Sequence, residues 1–343
     1  MTNNQSNKPS RNEIIAHRKR ETQSWILSLP AMLWLTIFFL IPYLIILLYS
    51  FLQTNVYDIE PVFSLEAYTE IFSYKYIHPF WTSLKFAFYT TVLCLLLGYP
   101  ASYFIARSSE KLRNIFLILV IIPFWTNFVI RIFSWRIFLA PHGALSNLLL
   151  YSGVIDTPLR LLRTDFAVLL VMVYVYLPYM ILPLYSVIEK LDFSLLDAAM
   201  DLGAKPFKAF LKVTLPLTKQ GILAGTMLVF IPALGTYIIP QLIGHKDSLF
   251  IGQVITYKVK NIPRNWPVAS ALSFVLMLIV CAILIVFYYI NLQINRREKE
   301  RSEGGEQREL NMFSTVPVTE HLLSKHERQR KIYQNESQKS DKG

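Results

Sequence analysis

Six stretches of the chain are long, apolar and nearly free of charge: residues 26–48, 84–106, 115–133, 167–188, 222–240 and 268–290. Polar and charged residues collect between them and at the two ends. A helix advances about 1.5 Å per residue, so about 20 apolar residues cross the roughly 30 Å hydrocarbon layer of a bilayer. Hydrocarbon offers no partner to backbone N–H and C=O groups, so each stretch is expected to be helical. The pattern predicts an all-α fold, a polytopic membrane helix bundle with six transmembrane helices. Prolines fall inside several stretches (Pro42, Pro100, Pro123, Pro178, Pro183 and Pro232). In water they would argue against helix, whereas in membrane bundles they mark kinks beside a cavity.

Composition sharpens this picture. Of 343 residues 53% are apolar and 17% charged, against about 25% charged in a soluble domain. The basic run His17-Arg18-Lys19-Arg20 before the first stretch looks like the start of a secretory signal. The apolar run that follows exceeds the roughly 7–15 residues of a signal core and lacks a small-x-small cleavage site, so it reads as a retained span. The expected organisation is a basic N-terminus (1–24), a first span with its external loop (25–79), a domain of five further helices (80–290) and a polar tail (291–343). From Arg296 the tail is charged, contains Gly304-Gly305 and has few large apolar residues, which predicts disorder. A short amphipathic helix at 321–332 is the alternative there. No internal repeat is visible.

Charge also predicts orientation. With both termini on one side, that side holds 24 of the 34 Lys and Arg residues and the other side 10. The positive-inside rule then places the N- and C-termini in the cytoplasm. The net charge of +11 is accounted for by a basic face beside anionic lipid, with no nucleic-acid partner.

Candidate chemistry is sparse. Cys94 and Cys281 lie in separate apolar stretches and are expected to be packing residues, with no disulfide framework. The six histidines are scattered without ligand spacing, so no metal is expected. There is no Gly-x4-Gly-Lys-Ser/Thr phosphate loop, nor any Ser/His/Asp, Cys/His or paired-carboxylate arrangement that suggests catalysis. The chain is not expected to be an enzyme or to bind a cofactor itself.

The informative segment is the loop at 189–216, on the side predicted to be cytoplasmic. Leu195, Ala199 and Leu202 fall on one stripe of a short helix. Gly203 supplies a stop signal, Pro206 suits the first turn of a second helix, and Phe207, Phe210 and Leu211 form a second apolar stripe. Such stripes should not face water without a partner. Two readings stay open on these residues alone: a hairpin folded back on the bundle, or a docking element.

The string Asp197-Ala198-Ala199, three residues, Gly203, nine residues, then Val213-Thr214-Leu215-Pro216 resembles the signature of ABC importer permeases. That signature reads Glu-Ala-Ala, three residues, Gly, nine residues, Ile-x-Leu-Pro. Asp197 departs from its glutamate and Val213 from its isoleucine, both conservatively. The resemblance implies a coupling loop, with Asp197, Ala198, Ala199, Gly203, Leu215 and Pro216 at the cleft of a separate ATP-binding subunit that supplies ATP and Mg. It also implies two copies of that subunit, a second related permease and an extracytoplasmic binding protein as partners, within the lipid bilayer. The sequence itself leaves a heterodimer or a homodimer of permeases open.

Finer resemblances point to the polyamine subfamily, whose cargo is spermidine or putrescine. Pro123-Phe124-Trp125-Thr126-Asn127 with Ile130-Arg131-Ile132 is similar to the third span of those permeases. Gly153-Val154-Ile155-Asp156-Thr157-Pro158, Leu182-Pro183-Leu184-Tyr185 and Asn265-Trp266-Pro267 are similar to them too. Aromatic faces attract flexible cations by about 0.5–2 kcal/mol each, which makes Trp125, Tyr174, Tyr176 and Tyr237, with Asn127, candidate pathway residues. Ordinary bundle packing or an interfacial aromatic belt is the alternative for each aromatic. No Asp or Glu sits centrally in a span, so cation capture would fall to the binding protein. Another cargo, such as sulfate or iron, remains open, and so do a transporter not driven by ATP and a membrane enzyme. Gly221-Ile222-Leu223-Ala224-Gly225 has the small-xxx-small spacing of close helix packing.

Overall fold

The computed structural model describes residues 11–54, 59–245 and 249–315. It divides at residue 284 into two units. Helix α1 (Arg11–Tyr49) leads into a two-stranded antiparallel hairpin, β1 (Leu52–Thr54) and β2 (Ile59–Phe63). Helices α2 (Glu66–Ile71), α3 (Tyr74–Arg107), α4 (Glu110–Ile121), α5 (Phe128–Phe138), α6 (Ala144–Tyr151) and α7 (Asp165–Ile188) follow. The loop helices α8 (Ser194–Asp201), α9 (Pro206–Ala209) and α10 (Leu215–Leu217) precede α11 (Lys219–Leu234). Last come α12 (Ile238–Ile243), α13 (Ile251–Lys260) and α14 (Trp266–Thr315).

Four helical segments are long and apolar enough to cross a membrane: Ser28–Tyr49, Tyr74–Arg107, Asp165–Ile188 and Trp266–Gln293. Two bent pairs, Glu110–Trp125 with Phe128–Phe138 and Pro206–Leu217 with Lys219–Leu234, raise the number to six if each pair is one span. The prolines expected to kink spans 115–133 and 222–240 fall in regions where the helices are interrupted. The first bends by 95°. Its helix tightens into a 3-10 turn at Ile122–Trp125, where Pro123 lacks an N–H, and restarts after Asn127. The second ends at Leu234, where Gly235 interrupts it before α12 begins. Helix α14 runs through residue 291 and continues to Thr315. Residues such as Arg296, Glu298, Lys299 and Gln307 favour helix, and extending an existing helix avoids the costly nucleation step. The alternative helix at 321–332 lies outside the described residues.

Burial ranks the helices. In the apolar window of α7, 61% is buried, against 33% in α3 and none in α1, so α7 is the axis of the first unit. Its Met180 is fully buried and lies between two glycines. A Cβ at Gly98 of α3 would stand 3.0 Å from Met180 Cγ, and one at Gly225 of α11 would stand 2.6 Å from Met180 Sδ and 3.3 Å from its carbonyl oxygen. One turn along, a Cβ at Gly221 would meet Val187 at 3.1 Å and the Pro183 carbonyl at 3.2 Å. The Gly221/Gly225 pair is thus a packing face against α7. Polar links tie α3 to the same helix: Ser102 Oγ donates to the Ile181 carbonyl at 3.0 Å, and Cys94 Sγ lies 3.6 Å from the Val173 carbonyl. Cys94 is a core residue as expected, whereas Cys281 is exposed on α14, a correction to its expected packing role.

The close approach predicts a contrast between two glycines of α11's path. Gly225→Ile should lower the melting temperature and yield of the purified protein, since overpacking a tight core costs about 1–3 kcal/mol. Gly235→Ala, where a Cβ meets nothing within 4 Å, should leave both unchanged in the same thermal-shift assay.

Candidate functional site

The loop following α7 is built from local rules. Asp192 Oδ1 accepts the Ser194 N–H at 3.0 Å and opens α8. Hydrogen bonds from the Ser194 hydroxyl and N–H hold the Asp192 carboxyl below the usual carboxylate range. Helix α8 closes with the paired bonds of a Schellman motif. Gly203 N–H donates to the Met200 carbonyl at 2.9 Å and Ala204 N–H to the Ala199 carbonyl at 3.1 Å. Gly203 has φ +87°, a conformation in which a Cβ is disfavoured. Pro206 then starts α9 at its first turn.

Beyond α9 the backbone widens into a π-helical turn, Phe210–Thr214, immediately before Pro216 in α10. A proline ring clashes with the carbonyl four residues earlier and removes one helical bond, and a widened turn relieves both. At Thr218 the path bends by 68° into α11. The bend is pinned: Thr218 Oγ1 donates to the Thr214 carbonyl at 2.9 Å and pairs with the Tyr99 hydroxyl of α3 at 2.8 Å, all buried.

The loop has two faces. One is folded onto the end of α3. Phe210 stands edge-on to Tyr99 (5.4 Å between centroids) and to Tyr103 (6.3 Å), and Phe193 edge-on to Tyr103 (6.0 Å). Arg107 lies 5.3 Å from the Phe193 ring and donates to the Tyr103 hydroxyl at 3.2 Å. Leu196 and Ala209 are buried beneath. The other face carries Leu195, Leu202, Phe207 and Leu211, all exposed, with Leu202 at 90% and Phe207 at 72%. The hairpin reading describes the first face, and the second is apolar and exposed.

Of the predicted coupling residues, Asp197, Ala198, Gly203 and Pro216 are exposed, while Ala199 and Leu215 are half-buried. The anchoring residues Tyr99, Tyr103, Arg107, Phe193 and Thr218 were not singled out in the sequence. Their one signal is the i, i+4, i+8 spacing of Tyr99, Tyr103 and Arg107, which places them on one face of α3.

The predicted pathway residues separate. At the 95° bend Asn127 accepts the Val129 N–H at 2.8 Å and caps α5, and Trp125 is exposed beside it. A cleft of about 520 Å3 opens there, lined by Pro123, Thr126, Arg131, Ser134, Trp135 and Tyr174 among others. Tyr174 packs edge-on against Trp135 at 5.1 Å. Tyr176 is turned into the core, where its hydroxyl donates to the Pro232 carbonyl at 3.2 Å. Tyr237 sits at the break between α11 and α12 and is absent from the lining of that cleft.

Apolar helices long enough to cross a membrane, packed at glycines and broken at prolines, with a two-faced loop between two of them, define the class as a helical membrane protein. Residues 98–299 match the family described as binding-protein-dependent transport system inner membrane component. The spermidine/putrescine transport system permease protein PotB of Haemophilus influenzae is 43% identical over 267 residues, 77% of this chain and 92% of that protein. PotB of Escherichia coli is 42% identical over 265 residues, 77% of this chain and 96% of that protein. A chain from the crystal structure of a bacterial alginate ABC transporter, in complex with an alginate pentasaccharide-bound periplasmic protein, shares the fold. It has a TM-score of 0.60 at 18% identity, over 80% of this chain and 96% of that one. The chain belongs to the family of binding-protein-dependent transport system inner membrane components.

The aromatic anchor makes a testable claim about the loop. Tyr99→Phe should lower thermal stability slightly, by the roughly 0.5–1.5 kcal/mol of one hydrogen bond. Phe210→Ala should cost more, about 3 kcal/mol or above, because it empties a packed aromatic site. It should also raise protease cleavage within 191–216. Equal resistance of the Phe210 variant and the parent to limited proteolysis would show that the loop is held by other contacts.

Proposed function

We propose that this chain is the membrane-spanning permease subunit of a polyamine ABC importer, carrying spermidine or putrescine inward. The observation that carries the reading is the exposed apolar face of the 189–216 loop, fixed from behind by the Tyr99–Phe210 cluster. Its motif matches the coupling signature, and the 43% identity to a spermidine/putrescine permease supports the cargo. The reading includes six spans, each bent pair counting as one, with both termini and the loop in the cytoplasm. It also includes two copies of an ATP-binding subunit, a second related permease and an extracytoplasmic polyamine-binding protein. ATP and Mg belong to the ATP-binding subunit, and this chain hydrolyses nothing.

The loop's construction suits transmission of a push. Its helices are short, and its outer face would sit in the cleft of the ATP-binding subunit. Movement of that cleft would act through the pinned bend at Thr218 on α11, and through Phe210 and Phe193 on α3. Both helices contact Met180 of α7, so closure of the two ATP-binding subunits would tilt the bundle as a block and change the side to which the pathway opens. Along that pathway Tyr174 lines the cleft at the third span and Trp125 is exposed beside it, offering aromatic faces to a flexible cation, while Asn127 caps α5. Tyr176 serves as a strut for the Pro232 carbonyl, and Tyr237 lies apart from that cleft.

Affinity purification followed by mass spectrometry should recover an ATP-binding subunit and a second permease with this chain, and vesicles should accumulate labelled spermidine or putrescine in preference to sulfate. Leu202→Asp together with Phe207→Asp should cut recovery of the ATP-binding subunit by about tenfold or more, since unpaired charges at a buried contact cost several kcal/mol. The melting temperature should not move, because both side chains are exposed. Unchanged recovery in that variant would sink the coupling role of the loop. Cysteine at Ser194 should react with membrane-impermeant thiol reagents only after the cytoplasmic side is opened.

A further inference from the structure

No residue of α4 is buried, yet the helix is fastened to α7 at both ends. At its start Arg113 Nη1 lies 3.4 Å from Glu189 Oε1. At its far end Phe124, in the 3-10 turn that follows, stands edge-on to Tyr179 at 4.9 Å. Between these ties Phe116, Leu117 and Val120 pack against Ile105, Ile181 and Tyr185. The contacts set the two helices antiparallel, with numbers falling along α7 as they rise along α4. The spans 113–124 and 179–189 each cover about 15 Å of helix, so α4 lies along α7 as a strip held at its two ends.

The ion pair runs against the preferences of the helices that carry it. Arg113 sits in the first turn of α4, where free N–H groups already present positive charge. Glu189 is the C-cap of α7, where free carbonyls present negative charge. Its N–H still donates to the Tyr185 carbonyl at 2.8 Å, so the residue moves with α7. Each charge disfavours its own helix end and is offset by the other charge and by the end of the other helix. The arrangement is satisfied only while α4 and α7 are apposed, which makes the pair a tie between helices and not a cap. The two side chains are 29% and 38% exposed, so the pair adds little to the stability of the folded chain.

Its place gives the tie a consequence. Glu189 is the first residue of the 189–216 loop and stands three residues before Asp192, which opens α8. Arg113 is at the base of the path that bends by 95° into α5, where Arg131, Trp135 and Tyr174 line the cleft. We infer that Arg113 and Glu189 are positioning residues of the transport cycle. Their ion pair hands displacement of the loop to α4, and through it to the bend and the cleft, a third route beside those through α11 and α3. The inference rests on the coupling reading of the loop. Neither residue belongs to the motif by which that loop is recognised.

The test uses the whole complex reconstituted in vesicles with its binding protein, and reads labelled spermidine uptake and ATP hydrolysis on the same preparations. Arg113→Gln and Glu189→Gln should each lower the uptake per ATP hydrolysed by about fivefold. The melting temperature and the recovery of the ATP-binding subunit should stay at the parent's values. Arg113→Glu with Glu189→Arg should restore the ratio, because the pair re-forms with its signs exchanged. A ratio equal to the parent's in both single variants overturns the inference. So does a lowered ratio that the exchange leaves uncorrected, since each side chain would then act through other contacts. A parent complex without an ATP-binding subunit, or without uptake, sinks the importer reading itself. A parent that takes up polyamine beside variants with an unaltered ratio sinks the tie alone.

Discussion

The structure of the first unit depends on three helix backbones coming close together at Met180. Even a Cβ at residue 98 or 225 would crowd Met180, at 3.0 Å from its Cγ in the first case and 3.3 Å from its carbonyl oxygen in the second. In a bilayer this contact gains nothing from excluding water, so close van der Waals packing and polar links supply the association. The glycines permit that approach, and the flexible methionine fills the space between them. Ser102, which donates to the Ile181 carbonyl, adds an interhelical hydrogen bond at the same level. With these three helices locked, the two ends of α3 become fixed platforms, one for the loop and one for α13, whose Ile251 N–H donates to Ser83 Oγ at 2.8 Å.

The helix breaks obey the same scarcity of partners. Each proline or glycine that interrupts a span releases backbone groups, and the structure supplies a side chain for several of them. Thr126 Oγ1 donates to the Pro123 carbonyl at 2.8 Å, and Asn127 accepts the Val129 N–H. Tyr176 donates to the Pro232 carbonyl, and Thr218 to that of Thr214. In water such groups would be solvated without help, and the bends would need no dedicated residues. The bends at residues 126–127 and at Thr218 are therefore built features of a chain that folds in lipid. Both lie next to surfaces with a proposed task, the cleft lined by Tyr174 and the loop pinned by Tyr99.

Hydropathy and one motif made much of this legible beforehand. The apolar stretches located α1, α3, α7 and the membrane part of α14, because membrane thickness imposes a length that composition reveals directly. Gly203 and Pro206 announced the turn between α8 and α9, since both act through local backbone geometry. What stayed hidden depends on contacts far apart in sequence. Nothing near Pro123 in the sequence distinguishes a mild kink from a 95° bend, and the ring contact made there, Phe124 on Tyr179 of α7 at 4.9 Å, joins residues 55 apart. Tyr176 and Tyr174 are two residues apart in one apolar run, and only the tertiary fold turns one into the core and the other to the cleft. The hairpin of β1 and β2 was missed for a different reason: two short strands in a loop leave too little pattern to register.

The two faces of the loop explain how one short segment can both belong to the bundle and leave it a surface for a partner. An apolar element seated wholly on its own bundle would present no contact area outward. One wholly exposed would have no fixed orientation and would lose conformational entropy when a partner ordered it. Here Leu196, Ala209 and the rings of Phe193 and Phe210 consume one side, and the Schellman turn at Gly203 directs the other side outward. The cost of ordering is met on folding, so the exposed Leu202 and Phe207 are held in place before any contact forms. Edge-on aromatic pairs, each worth about 0.5–1.5 kcal/mol beyond their buried area, fasten the loop to α3 at three contacts. A hinge of glycines at that position would absorb a sideways force instead of transmitting it. The stiffness of the aromatic anchor is therefore what the proposed coupling requires, and it depends on residues outside the motif by which the loop is recognised.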